Sequence, residues 1–270
     1  MKQFALAFLC ATLAATAHAA FVTGFEAPDY VGSMGGTVLT GQQDWYLPVV
    51  DSADYKVYTY IGNPLGIPWN PDGGAQFAAG RSEGAPAYGR AQHDFDWGAG
   101  DVWTVTYDVC PKFNGELPAT DYLGSFSLQD STVAAHWQTL YACTDLATST
   151  HFNANHMVLG YGAPGISPGE EWAGLQYGKW YRQSTTFELS TQRILQVSIQ
   201  NLSDGGPIAV YEPADWFFLL PDGGTATGFR FFTGGSTAGN IMAWDNFSIV
   251  PEPSAVVLLA FGLTLVVRRR

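Results

Sequence analysis

Basic residues, cysteine and helical periodicity are all scarce in this sequence. Twelve lysines and arginines face 24 aspartates and glutamates, for a formal net charge of −12. Lys2 and three terminal arginines sit in the end segments, so only eight basic residues oppose 23 acidic ones between them. A domain so anionic repels a phosphate backbone, which excludes nucleic acid as a partner. Charged residues of both signs make up only 13% of the chain, while aromatics reach 14%. That balance excludes disorder, which needs many charges and few aromatics. The middle of the chain has no sustained helical stripe with caps, no internal repeat and no clear linker. It also has no Gly-x-Ser-x-Gly elbow and no phosphate-binding loop. With the ends set aside, about 230 residues remain, enough for one large all-β domain or two small ones with a real core.

What the middle does carry is strand signal. Asp54-Tyr55-Lys56-Val57-Tyr58-Thr59-Tyr60 is β-branched and aromatic and is bounded by Gly62-Asn63-Pro64. Trp103, Val105, Tyr107 and Val109 alternate with Thr104, Thr106 and Asp108, the pattern of a half-buried strand. Residues 181–189, 193–200, 216–220, 229–233 and 241–250 also read as strands. Turn clusters separate them, among them Pro71-Asp72-Gly73-Gly74 and Pro221-Asp222-Gly223-Gly224. Ten or more short strands predict an all-β sandwich or jelly roll over residues 20–249. The Asp-Gly-Gly triplets are irregularly spaced and lack the acidic series of a calcium loop, so they read as turns.

The opening, from Gly24-Phe25-Glu26 to Asp44-Trp45, is similar to the start of concanavalin-like (laminin-G-like) jelly rolls. The closing segments Gly228-Phe229-Arg230-Phe231-Phe232 and Ala243-Trp244-Asp245-Asn246-Phe247 are similar to the end of that fold. The resemblance implies that the first and last strands are neighbours, which would bring Glu26 near Asp245. A structural calcium held by those two carboxylates is the metal expectation, with solvent-facing or turn-capping acids as the alternative.

Both ends look like addresses. Met1-Lys2, the apolar run 4–13 and Ala17-His18-Ala19 form a secretory signal, residues 1–19, with signal peptidase expected to cut between Ala19 and Ala20. Cys10 lies too early in the run for a lipoprotein site. At the other end, Pro251-Glu252-Pro253 precedes an apolar run, 255–267, and then Arg268, Arg269 and Arg270. Thirteen helical residues span about 20 Å, short of a hydrocarbon core of about 30 Å. Snorkelling arginines extend that reach and set the C-terminus on the cytoplasmic side. This three-part tail over 250–270 resembles the PEP-CTERM sorting signal of bacterial exported proteins. The resemblance implies processing by an exosortase, a membrane intermediate anchored by the helix, and delivery to the cell surface or extracellular polysaccharide.

Cys110 and Cys143 are the cysteines left after signal removal, and in an oxidising compartment they read either as a disulfide or as two buried thiols. No catalytic set stands out. Glu170-Glu171 are adjacent and would point to opposite faces of a strand. Asp94-x-Asp96 shares a face beside His93 and Trp97 but has no third acid. Arg81-Ser82-Glu83 with His93 lacks the companion motifs of polysaccharide lyases. His136, His151 and His156 have no metal-ligand spacing. Trp45-Tyr46, Trp69 and Trp97 lie in polar, turn-rich segments that would expose them as sugar-stacking platforms, or else they are packing aromatics. The sequence thus reads as an exported, non-catalytic structural or adhesive surface protein without a cofactor other than calcium. A carbohydrate-binding module is the first alternative and a divergent glycan hydrolase or lyase the second.

Overall fold

The computed structural model describes residues 20–98, 100–113, 121–130, 135–143, 151–157, 172–219, 225–235 and 238–252. The first strands are β1 (Phe21–Thr23), β2 (Thr37–Val38), β3 (Ala53–Asp54), β4 (Lys56–Thr59), β5 (Gln76–Arg81), β6 (Gly89–Asp94), β7 (Val102–Phe113) and β8 (Asp121–Gln129). There follow β9 (Ala135–Cys143), β10 (His151–Met157), β11 (Trp172–Gln176), β12 (Tyr181–Glu188), β13 (Arg193–Asn201), β14 (Ile208–Tyr211), β15 (Gly228–Thr233) and β16 (Asn240–Pro251). They build two sheets that face each other, an all-β sandwich. The nine-stranded sheet runs β14-β13-β12-β7-β16-β5-β4-β2, with β1 beside β16, and the seven-stranded sheet runs β11-β10-β9-β8-β15-β6-β3. Among the described strands only the short β3–β6 pair is parallel. The two last strands therefore enter the middle of the two sheets, β16 between β7 and β5 and β15 between β8 and β6.

The alternation read in 102–109 is real. Trp103, Val105, Tyr107 and Val109 face the interior, and β12 alternates in step, burying Tyr181 and Phe187. From the central strands, Trp244 of β16 meets Phe231 of β15 face to face, with centroids 4.6 Å apart and planes 5° apart. β5 and the first half of β16 are buried on both faces, so they do not alternate. Their outer face carries a second apolar cluster, including Tyr60, Phe77, Cys110, Trp180 and Ile241. The connection from β4 to β5 folds back over it with Leu65 and Ile67.

Several expectations need adjusting. Residues 216–219 form no strand, and Phe217 makes one isolated bridge to Arg193; residue 220 lies outside the described residues. β16 continues through Pro251, paired with Trp103, because a proline closing a strand withholds only a donor. Glu252 stays attached, its N–H donating to the Val102 carbonyl at 2.9 Å and its carboxylate accepting from Thr104 Oγ1. Ala20 is exposed just before β1. Ala19, Pro253, the run 255–267 and Arg268, Arg269 and Arg270 lie outside the described residues. Among the described residues no helix is long and apolar enough to cross a membrane.

The disulfide reading is corrected. Cys110 is a free thiol, fully buried, and burial pushes its pKa up. The reason is geometric. Val109 points into the sandwich, so Cys110 points out of the nine-stranded sheet into the second cluster, while the strand of Cys143 belongs to the opposite sheet.

Candidate functional site

Strand alternation places the site. On β6 and β15, Ala91, Phe229 and Phe231 face the core, which turns Gln92 and Arg230 to the outer face of the seven-stranded sheet. Register sets Arg230 opposite both Gln92 and Ser127. Tyr46 flanks Gln92 on the other side, with backbone hydrogen bonds of 2.9 Å in both directions. The result is a cross-strand row, Tyr46–Gln92–Arg230–Ser127.

The row is wired by its side chains. Arg230 donates to Gln92 Oε1 from Nε at 2.9 Å and again from Nη2. Gln92 Nε2 donates to the Tyr46 hydroxyl at 2.7 Å, and that hydroxyl donates to Asp94 Oδ1 at 2.7 Å. Arg90, two residues along β6 from Gln92, donates to Ser52 and lies over the Phe232 and Tyr88 rings at 5.0 and 5.4 Å. Neither Arg90 nor Arg230 forms an ion pair among the described residues; the ion pairs there belong to Arg81, Lys179 and Arg182. Burial lowers the Arg230 pKa to about 10, with the like charge of Arg90 adding to it and Tyr46 and the Asp130 carboxylate opposing it, and burial lowers Arg90 as well. Burial and then the Asp94 carboxylate push the Tyr46 hydroxyl up to about 12, so it keeps its proton at neutral pH. Depth is graded: Arg230 is 6% exposed, Arg90 and Tyr46 are half-buried, and Asp94 is open.

At Asp94 the row meets an open cleft of about 580 Å³ between residues 94–98 and 225–227. Its walls combine two exposed carboxylates, Asp94 and Asp96, with Phe95 and the edge of Trp97. The indole Nε1 of Trp97 has no hydrogen-bond partner. The size lies within the usual range for small-ligand sites.

A second polar cluster sits on the outer face of the other sheet. Asp108 accepts from Arg182 Nε and Nη2 at 2.8 and 2.9 Å, from Asn70 at 2.8 Å and from Asn246 at 2.7 Å. Hydrogen bonding to Asp108 raises the Arg182 pKa. Asp245 is fully buried and accepts from Tyr60 at 2.8 Å, Asn70 at 3.2 Å and the Asn246 N–H at 2.8 Å. Burial raises its carboxyl to about 7. As the resemblance implied, β1 pairs with β16, and Glu26 and Asp245 come to the same place. A Cβ on Gly73 would fall 2.3 Å from Asp245 Oδ2, and one on Gly74 2.3 Å from Glu26 Oε1. Glu26 Oε1 accepts the Gln76 N–H at 2.8 Å. Protein donors therefore meet both carboxylates, with Glu26 Oε1 and Asp245 Oδ1 each accepting one backbone N–H. Among the described residues no group of three His, Cys, Asp or Glu is placed to hold a metal.

The tryptophan expectations divide. Trp45, 1% exposed, is a core residue packed on Phe229 and Phe231, because the next residue in the chain, Tyr46, takes the outward position in its bridge to Gln92. Trp97, 5% exposed, packs on Phe95, Trp103 and Phe187 and reaches the cleft only as part of its wall. Trp69 is exposed as expected. His93 turns away from the outer face, stacks on Phe229 and bonds the Gln43 carbonyl. Arg81 and Glu83 form an exposed ion pair at the end of β5, in the other sheet from His93. His136 is buried with both ring nitrogens unpartnered, and burial lowers its pKa. The side chains of His151, His156 and Cys143, and Glu170-Glu171 entirely, lie outside the described residues. Sequence reasoning passed over Arg90, Gln92 and Arg230. The usable signal was Arg90-x-Gln92-x-Asp94, three polar residues at strand spacing in a chain poor in arginine.

No protein-family model matches the sequence, and no curated protein matches it. Among solved structures the chain is similar to an endo-β-1,4-glucuronan lyase from the fungus Trichoderma reesei, at 9% identity and TM-score 0.42, covering 81% of this chain and 94% of that one. It is similar to a PL-14 alginate lyase from Aplysia kurodai, at 11% identity and TM-score 0.42, covering 67% and 85%. It is also similar to a carbohydrate esterase of bacteriophage phi24B, at 12% identity and TM-score 0.42, covering 81% and 100%. No residue role is carried across at such values. The expectation of a non-catalytic chain is corrected: the solved structures to which this chain is similar include lyases.

Proposed function

We propose that this is a carbohydrate-active protein that holds an acidic polysaccharide on the outer face of its seven-stranded sheet. The observation that carries the reading is the pair Arg90 and Arg230, two cations without an ion pair among the described residues on one face of a chain of net charge −12. The planar fork of a guanidinium suits a carboxylate brought by a ligand. The cleft beside Asp94 offers carboxylates for sugar hydroxyls and aromatic surface for sugar C–H groups. Titration calorimetry with a polyuronate and with a neutral glucan tests the reading: the uronate binds, and replacing Arg90 and Arg230 abolishes it. Equal binding of both polymers, or none of the uronate, would refute it.

Eliminative cleavage is the second reading, favoured by the Tyr46 hydroxyl. Arg230 and Gln92 neutralising a uronate carboxylate would acidify the adjacent C–H. The Asp94 carboxylate, bonded to Tyr46, would take that proton while the C–H electron pair forms the C=C bond and the C–O bond breaks. The Tyr46 phenol would protonate the departing oxygen and be reprotonated from Asp94. Growth of the ultraviolet absorbance of an unsaturated uronate is the readout, and Tyr46→Phe should lower it at least about a hundredfold.

We also propose that the two ends direct export and sorting, by signal peptidase at Ala19–Ala20 and by an exosortase at Pro251-Glu252-Pro253, toward the cell surface or matrix. The short apolar run closed by Arg268, Arg269 and Arg270 supports this reading. Replacing the three motif residues with alanine should trap the unprocessed chain in the inner membrane. Unchanged processing and location would end the sorting role.

A further inference from the structure

We propose that Trp69 is the platform of a second ligand site, on the opposite side of the sandwich from Arg230, that takes neutral pyranose units. Of nine tryptophans, seven are buried and Trp172 is half-buried; Trp69 is 52% exposed. Its ring is nonetheless fixed. It stacks on Tyr60 with centroids 5.0 Å apart and planes 24° apart, which covers one face and leaves the other to solvent. Tyr60 is held in turn by Phe77, at 4.7 Å, and by its hydroxyl on Asp245.

The loop bearing Trp69 is pinned on both sides of it. Trp180 Nε1 donates to the Pro68 carbonyl at 2.8 Å, and Asn70 Nδ2 donates to Asp108 at 2.8 Å. A large aromatic left in water on an anchored loop loses little freedom when a ligand covers it. The C–H face of a pyranose is the surface that suits an indole presented this way.

A polar group to fix a sugar follows it in the same loop. Asp72, three residues on, meets Arg182 at 3.0 Å, and both side chains keep part of their surface open. An acceptor next to a donor fits a pair of adjacent hydroxyls, one giving and one receiving a hydrogen bond. The exposed Asp72 carboxylate disfavours a uronate, which separates this site chemically from the arginine face.

The test is titration calorimetry of the full domain with gluco-, manno-, galacto- and xylo-hexaoses. At least one binds; Trp69→Ala weakens it at least about tenfold, the scale of one aromatic contact. Trp69→Phe keeps part of the affinity, and Arg230→Gln leaves it unchanged. As a second readout, the binding sugar should protect fluorescence of the unsubstituted protein from acrylamide. No binding by any of the four, or binding untouched by Trp69→Ala, overturns the proposal. A uronate that fails to bind overturns the arginine face alone.

Discussion

Arg230 donates to Gln92 across the β15–β6 pair, with Nε 2.9 Å from Oε1, while the next residue, Phe231, stacks at 4.6 Å on Trp244 across the sandwich. One strand thus carries the candidate ligand face and the central core contact on consecutive residues. Their roles separate by mutation. Arg230→Met should change stability little, because removing the cost of a buried cation offsets the hydrogen bonds lost at Gln92. Urea melts alongside binding check this: a stable protein that no longer holds a uronate is expected, and a large loss of stability would mean that Arg230 is structural.

Phe231→Ala should cost about 3–5 kcal/mol by urea denaturation, since it empties the space against Trp244, Trp45 and Phe247. A loss below about 1 kcal/mol would show that the two sheets do not close through this pair.

Asp245 gives a pH signature. Its folded carboxyl, raised by burial from 3.8 to about 7, holds a proton that the unfolded chain releases near the usual value. Its contribution is therefore fully present below about pH 4 and is lost as pH rises through 7, levelling above. Thermal melts across that window should fall with pH, and Asp245→Asn should flatten the slope. The same melts with added calcium or a chelator should superimpose, given the donors already on Asp245. A calcium-dependent rise would show that an ion binds there.

Cys110 should not react with a thiol reagent until the protein is unfolded, and a reductant should not shift the melting temperature. The thiol is fully buried, and burial holds its pKa above the ordinary range. A reductant-sensitive melting temperature would contradict this.

Much of the fold was legible because β7 and β12 face a core on one side and a polar surface on the other, so their sequences alternate. β5 was not, since Phe77-Ala78-Ala79-Gly80 is buried on both faces and lacks β-branched residues. Trp45 and Trp97 misled for a related reason: a polar neighbourhood in sequence does not reveal which residue of Trp45-Tyr46 turns inward. The arginine face was hidden because its members come from segments over 130 residues apart in the chain, Gln92 and Arg230 being separated by 138. Only the antiparallel register of β6 and β15 brings them together.

The most direct test is calorimetric titration of a polyuronate into the wild-type protein and into the Arg90→Ala/Arg230→Gln double variant, at low and high salt. Saturable binding that weakens with salt and vanishes in the folded double variant is the predicted result. Binding that survives loss of both arginines, or a wild-type protein that ignores the polyanion at low salt, would contradict it.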